Sequence, residues 1–206
     1  MRKFVLPILL LASLAACSGA RQSQPARTAT EQLLISNAAD RAAERLVLEF
    51  QPGAKVFVDA ANFDGVDSKY AIAAIRERML KLGAHLAASR DDADTVVEIR
   101  AGALSMDDGH TLVGIPAFDI PIPLAGSSVK FPEIALFKRA RRQGVAQFAA
   151  TGYDAKTGAY RGSTGPQSGV ANELEWTLML FVTWSRSDVE VTDDSALIER
   201  PELSVR

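Results

Sequence analysis

The 206-residue chain carries 23 basic and 25 acidic residues, a formal net charge of −2, and is 48% hydrophobic. That balance excludes the cationic surface of a general nucleic-acid binder, while the apolar content suffices for the core of one domain of average size. One cysteine and two histidines leave thiol, disulfide and zinc chemistry little to work with.

Residues 1–16 read as a signal peptide. Arg2 and Lys3 form a positive n-region, Phe4 to Ala12 is too short an apolar run to span a bilayer, and Leu14-Ala15-Ala16 places small residues before Cys17. Nearby Ala-x-Ala patterns leave a plain secretory signal open as the alternative. The arrangement resembles the bacterial lipoprotein signal, which implies an acylated (palmitate-type) Cys17 as first mature residue. Ser18, where aspartate would retain the protein at the inner membrane, implies export to the outer membrane, with the domain lipid-anchored on its periplasmic face. Buried methylenes contribute about 0.8 kcal/mol each, so two or more chains anchor firmly. Cleavage removes Arg2 and Lys3, leaving 21 basic against 25 acidic residues, a net of −4, and acylation leaves no free thiol.

Residues 17–29 are small and polar and read as a flexible tether. The domain follows over 30–187. Thr28 with Glu31 fits a capping box, and Ile35, Ala38, Ala39, Ala42 and Leu46 recur at helical spacing, predicting a helix over 30–48 that Pro52-Gly53 closes off. Lys55 to Asn62 predicts a strand. Asp67 or Ser68 caps a second helix with the stripe Ile72, Ile75, Met79 and Leu82, and Gly83 stands at its C′ position. A short strand at 85–88 and an acidic turn lead into the half-buried strand Thr95 to Leu104.

Residues 112–142 form a proline-rich insertion in which Pro116, Pro121 and Pro123 exclude a helix or a central strand, followed by a basic cluster at Lys138, Arg139, Arg141 and Arg142. Strand composition returns at 144–153, Asp154 to Gly158 is a hairpin turn, 162–169 reads as a flexible loop, and Trp176 to Trp184 as a buried strand. Residues 188–206 form an acidic, irregular tail. The expected fold is α+β: two helices packed on a mixed or antiparallel sheet of about five strands.

The order of a helix, the strand in VFVDAANFDG, the helix in AIRERMLKLG, a short strand and then DADTVVEIRAGAL resembles the periplasmic core of the curli-secretion channel lipoprotein and the conjugal surface-exclusion lipoprotein. The YDAKTG turn at 153–158 is similar to the Asp-x-x-Thr-Gly hairpin of such sheets. The resemblance covers roughly 30–104 and 144–162. It implies an outer-membrane lipoprotein with a related core, interrupted by a membrane- or oligomer-forming insertion. Residues 105–143 depart from both groups in lacking the glycine-rich or alternating segments expected of membrane hairpins.

The foremost candidate site is the insertion, which either packs as an extended segment over the sheet with its basic cluster solvated or offers Ile115, Phe118, Ile120 and Ile122 as apolar contacts and Lys138, Arg139, Arg141 and Arg142 as basic ones, for an envelope partner, for self-association or for shallow contact with an anionic membrane. Asp59, Asp64 and Asp67 surround a strand-to-helix turn where they cap the helix or hold a small ligand. Asp107-Asp108-Gly109-His110 reads as a polar turn, since neither zinc nor calcium spacing is present. His85 reads as a packed or surface residue. Ser163 and Ser168 lack a nucleophile elbow and a His–acid partner, no phosphate or dinucleotide loop is present, and Trp176 and Trp184 read as core or rim aromatics on one strand face. No cofactor or metal is implied. The leading expectation is a non-enzymatic, membrane-anchored binding or assembly module. An oligomeric pore or secretion accessory, and a small-ligand binder or carboxylate-based enzyme, are the alternatives.

Overall fold

The computed structural model describes residues 27–122 and 127–189. The signal peptide, the Cys17 acylation site, most of the tether, the tail from 190 onward and the side chain of Ile122 lie outside the described residues.

Helix α1, Ala29–Glu44, starts where expected: the Thr28 hydroxyl accepts from the Glu31 backbone N–H at 3.2 Å. It ends at Glu44 rather than at residue 48. Leu46 and Leu48 leave the helix and tuck into the core, and Arg78 Nε donates to the Leu46 carbonyl at 2.9 Å. Strand β1, Lys55–Asp59, stops short of Asn62 because Asp59 Oδ1 accepts from the Ala61 N–H at 3.0 Å, an Asx turn that bends the chain away. Helix α2 spans Ser68–Lys81, and Gly83 takes the left-handed φ of 89° that its C′ position requires.

Strands β2 (His85–Leu86), β3 (Thr95–Ile115), β6 (Ile134–Asp154), β7 (Tyr160–Leu178) and β8 (Val182–Ser187) complete a six-stranded mixed sheet. Its order is β2-β1-β3-β6-β7-β8, with β1 parallel to β2 and β3 and the rest antiparallel. The sheet is curled into a half-barrel. Strands β4 (Phe118–Ile122) and β5 (Ser127–Phe131) form a separate two-stranded ribbon between β3 and β6. The architecture is α+β, two helices on one sheet.

Three sequence-based expectations change. Asp107 to His110 is not a turn: it is extended β3, paired residue by residue with Ala140 to Gln143 of β6, from Asp107↔Gln143 to His110↔Ala140. The basic cluster is a stretch of strand β6, paired with β3 on one side and β7 on the other. The expected loop at 162–169 is the middle of β7, where Gly165 and Pro166 together oppose Ala149, so the proline sits at a bulge and needs no ladder N–H. Pro116 does end β3, and Pro121 lies in the marginal ribbon.

The core fills the gap between helices and sheet. Phe148, Leu34, Ile35, Leu46, Ile75, Met79, Ile99, Val56 and Val97 are fully buried. A bulge between Ala101 and Ala103 shifts the alternation by one residue, which is why Leu104 and Met106 continue the inward row begun by Val97, Ile99 and Ala101. Helix α1 meets the sheet through small residues on both sides. Ala38, Ala39, Ala42 and Ala43 lie buried on the helix, and Gly144 and Gly169 lie beneath its backbone.

The folded region begins and ends slightly outside the expected 30–187. Arg27 donates to both Asp67 carboxylate oxygens at 2.6 and 2.7 Å. Asp188 accepts from the Asn172 N–H at 2.8 Å and pairs with Arg41 at 3.2 Å, and Val189 is buried.

The Asp154–Gly158 turn forms as expected and has a pH consequence. Asp154 is held well below the usual carboxylate range by the Arg161 guanidinium first, then by the Thr157 N–H and hydroxyl and the Lys156 N–H. A carboxylate depressed in the folded state stabilises above its unfolded value of roughly 3.9, and that contribution is lost as pH falls through the folded value. Asp154→Asn should therefore flatten the acid-side fall in Tm below pH ~4 while lowering Tm at neutral pH. Thermal melts of both proteins across that range check this.

Candidate functional site

Beyond the helices the long strands continue as a bare four-stranded apron made from β3, β6, β7 and β8. Cross-strand partners share a face, so the register sorts the apron into rows. On the face that carries the helices nearer the core, one row holds Asp108, Arg142, Glu173 and Ser187. The next holds His110, Ala140, Glu175 and Ser185, and the third Leu112, Lys138, Thr177 and Thr183. This face is held by polar links: Arg142 to Glu173 at 3.1 Å, Lys138 to Glu133 at 2.8 Å, and the Thr177 and Thr183 hydroxyls at 3.3 Å.

The opposite, bare face differs. Gly109, Arg141, Leu174 and Arg186 make one row, Thr111, Arg139, Trp176 and Trp184 the next, and Val113, Phe137, Leu178 and Val182 the third. The two indoles stack with centroids 6.0 Å apart and planes 14° from parallel. Alternation therefore splits the basic residues of β6: Lys138 and Arg142 lie on the helix face, Arg139 and Arg141 on the bare face.

The turn Met179-Leu180-Phe181 joins β7 to β8. Met179 and Leu180 have φ of 51° and 70°, left-handed values that are outliers for bulky residues. Their N–H groups donate to the carbonyls of Leu136 and Ala135 at 2.9 and 3.1 Å, which ties the turn to the start of β6. Phe181 is 80% exposed and Met179 60%, and Leu178, Leu180 and Val182 are exposed with them. Trp176 and Trp184 are thus not on one buried strand. They face each other across a hairpin whose tip is a five-residue exposed apolar run. The signal for this was in the sequence: WTL-MLF-VTW reads nearly as its own mirror image about the turn.

Of the expected partner-binding residues, Ile115 ends β3 exposed, and Phe118 and Ile120 lie exposed on one face of the ribbon. On that face Phe118 stacks on Phe131 with centroids 4.8 Å apart, and Ile120 pairs with exposed Val129. Asp119 and Lys130 take the other face. An isolated two-stranded ribbon with one apolar face is marginal in water.

The other candidates do not converge on a reaction centre. Asp59 is held by the Ala61 N–H and by Arg90 at 3.4 Å, Asp64 accepts from the Gly65 N–H at 2.8 Å, and Asp67 serves Arg27. Contrary to expectation, Asp67 makes no side-chain cap to α2. Its carboxyl is held below the usual range, by the Arg27 hydrogen bonds first. Asp107 and Asp108 point to opposite faces of β3. His85 is exposed on the edge strand β2. Ser163 bonds the Tyr160 hydroxyl at 3.0 Å, and Ser168 accepts from Gln147 at 3.1 Å. Among the described residues no three His, Cys, Asp or Glu side chains cluster as metal ligands, and no helix is long and apolar enough to cross a membrane.

The groove between α1 and α2 holds Asp40, Glu44, Tyr70 and Glu77. Burial first, then the 2.9 Å hydrogen bond that Tyr70 donates to Asp40, pushes the Tyr70 hydroxyl up to about 12. Tyr70 is therefore a clamp between the helices rather than an acid or base near neutrality. A cleft of about 600 Å³ opens between the 48–54 loop and the sheet at Asp94 and Arg161, but Asp94 accepts from the Lys55 N–H at 3.0 Å and Arg161 pairs with Asp154.

Comparison with characterised proteins gives no match. The sequence profile of a family of unknown function, DUF6655, matches residues 13–179, a span that runs from before Cys17 through both helices and every long strand to the β7–β8 turn. With that span covering most of the 206 residues, the chain belongs to the DUF6655 family.

Proposed function

We propose that the protein is a lipid-anchored lipoprotein of the outer membrane that acts as a non-enzymatic binding and assembly module, with the apron and its ribbon as the contact surface. One observation carries this reading. Most of the exposed large apolar side chains among the described residues are gathered at the far end of the long strands: Ile115, Phe118, Ile120, Val129, Leu136 and the run from Leu178 to Val182, whereas the others, such as Val47, Leu80 and Tyr160, lie elsewhere. Exposed apolar area this contiguous marks an interaction surface. The similarity of the core to the curli-secretion channel and surface-exclusion lipoproteins, together with the lipoprotein-like segment around Cys17, supports an envelope setting.

The pore or secretion-accessory reading is favoured by one further observation. Strand β1 pairs with β3 only as far as Glu98, so the rest of β3 is an open edge, and β8 is an edge at the other side. Two open edges on one four-stranded apron permit head-to-tail pairing between copies, which closes a ring if the rotation allows.

Ile120→Asp is the test of the contact surface. Because Ile120 is exposed, the substitution should leave the unfolding free energy within about 0.5 kcal/mol of the parent value. It should reduce crosslinking of the membrane-extracted protein to itself or to its partner. Unfolding instead would make the ribbon core, and unchanged crosslinking would remove Ile120 from the interface.

A further inference from the structure

The bare face of the apron is graded along the strands. Its innermost row of the three is basic, with Arg141 and Arg186; the next carries Arg139 and the Trp176–Trp184 pair; the third is Val113, Phe137, Leu178 and Val182; and the tip Met179-Leu180-Phe181 lies beyond. No carboxylate occupies any of these rows. The other face at the same levels carries Asp108, Glu173, Glu175 and His110, so the grading belongs to one face only. Cation, indole and hydrocarbon in that order match the layers of a membrane surface: phosphate, interfacial belt and acyl chain.

Two independent features point the same way. The left-handed backbone at Met179 and Leu180 is a costly conformation for such residues, and it places three large apolar side chains at the outermost point of the hairpin. Helix α1 also enters the sheet from the apron side. The Leu34 carbonyl lies over Gly144, whereas Ala38 and Ala42 lie over Gly169, which is level with Ala146 and so farther from the tip. The chain leading back to Cys17 therefore leaves from the tip end of the helical layer. The ten residues from Cys17 to Arg27 reach at most about 35 Å.

We propose that the β7–β8 tip enters one leaflet of an anionic phospholipid bilayer, with Arg139, Arg141 and Arg186 at the phosphates and Trp176 and Trp184 at the interface. This deepens, and rests on, the reading of the chain as a membrane-tethered module. The depth follows from strand geometry. Strand β7 continues only two residues past Trp176, to Leu178, roughly 7 Å, before the turn at Met179 to Phe181, against about 15 Å for half of a 30 Å hydrocarbon core. A spanning β-strand needs about 9–11 residues, so this hairpin enters only the outer part of one leaflet and does not cross the bilayer.

Trp176 and Trp184 are the only tryptophans in the chain, so indole fluorescence reports this site alone. The experiment reconstitutes the full-length mature chain into phosphatidylcholine vesicles with and without phosphatidylglycerol, with bromine on the acyl chains near the glycerol or near the chain end. The expected result is a blue shift, loss of acrylamide quenching, and quenching by the bromines near the glycerol above those at the chain end, all greater with phosphatidylglycerol. Phe181→Asp should abolish the bromine quenching while leaving the circular dichroism unchanged. The triple change Arg139→Gln, Arg141→Gln, Arg186→Gln should abolish the dependence on phosphatidylglycerol. Indoles that stay open to acrylamide on vesicles overturn the proposal. So does protection that grows with protein concentration at fixed lipid without bromine quenching, because a second copy then covers the tip. In that last case the assembly reading survives, so the two failures are distinguishable.

Discussion

Replacing Gly169 with valine should detach α1 from the sheet. A β-carbon at Gly169 would fall well inside contact distance of the Ala38 carbonyl and the Ala42 nitrogen, both backbone atoms that no side-chain rotation can move. Gly144 stands in the same relation to the Leu34 carbonyl. The helix must rise or tilt, and either motion breaks the buried alanine seam of Ala38, Ala39, Ala42 and Ala43. Overpacking typically costs about 1–3 kcal/mol, and a double backbone clash belongs at or above the top of that range. For a domain of this size the drop in Tm should be at least roughly 6–12 °C. Gly165→Ala is the control, since a β-carbon there meets nothing within 4 Å. Thermal melts of the two variants decide it; equal Tm values would mean the helix does not sit on Gly169.

Phe148→Ala should cost more. Phe148 is the largest fully buried side chain, in the second half of β6 and packed on Phe63 with ring centroids 5.4 Å apart. It joins the sheet to the loop before α2, so its removal leaves a cavity bounded by groups that cannot all collapse inward. Phe→Ala in such a site costs about 3–5 kcal/mol, a large part of the roughly 5–15 kcal/mol that stabilises a typical domain. Chemical denaturation should show a midpoint shift with little change in slope. Taken with the expected tolerance of Ile120→Asp, these changes divide the molecule into a scaffold that fails when altered and an apron whose alteration affects only what it touches.

The scaffold was legible in the sequence for local reasons. Thr28 and Glu31, the stripe Ile72-Ile75-Met79, Gly83 and the Asp154–Gly158 turn each act within a few residues, and each took its expected place. The apron was not, because its order lies between strands. Within β6 the run Lys138-Arg139-Ala140-Arg141-Arg142 reads as one basic cluster. Only pairing with β3 and β7 shows that it splits, with Arg142 meeting Glu173 on one face and Arg139 meeting Trp176 on the other. The same limit explains 162–169, where Gly165 and Pro166 suggested a loop and instead form a bulge inside a strand. The hairpin tip was legible in principle, through the symmetry of WTL-MLF-VTW, but an uninterrupted apolar run reads as a buried strand when no turn residue marks its centre. Met179 and Leu180 in left-handed backbone are the exception that hid it.

Assembly through the apron is the central claim, and the mass of the mature protein extracted from membranes in mild detergent tests it most directly. Size-exclusion chromatography with light scattering should give a defined oligomer, or a complex of fixed stoichiometry with a second envelope protein, that Ile120→Asp dissociates. A protein that remains a lone monomer as its concentration rises would contradict the account.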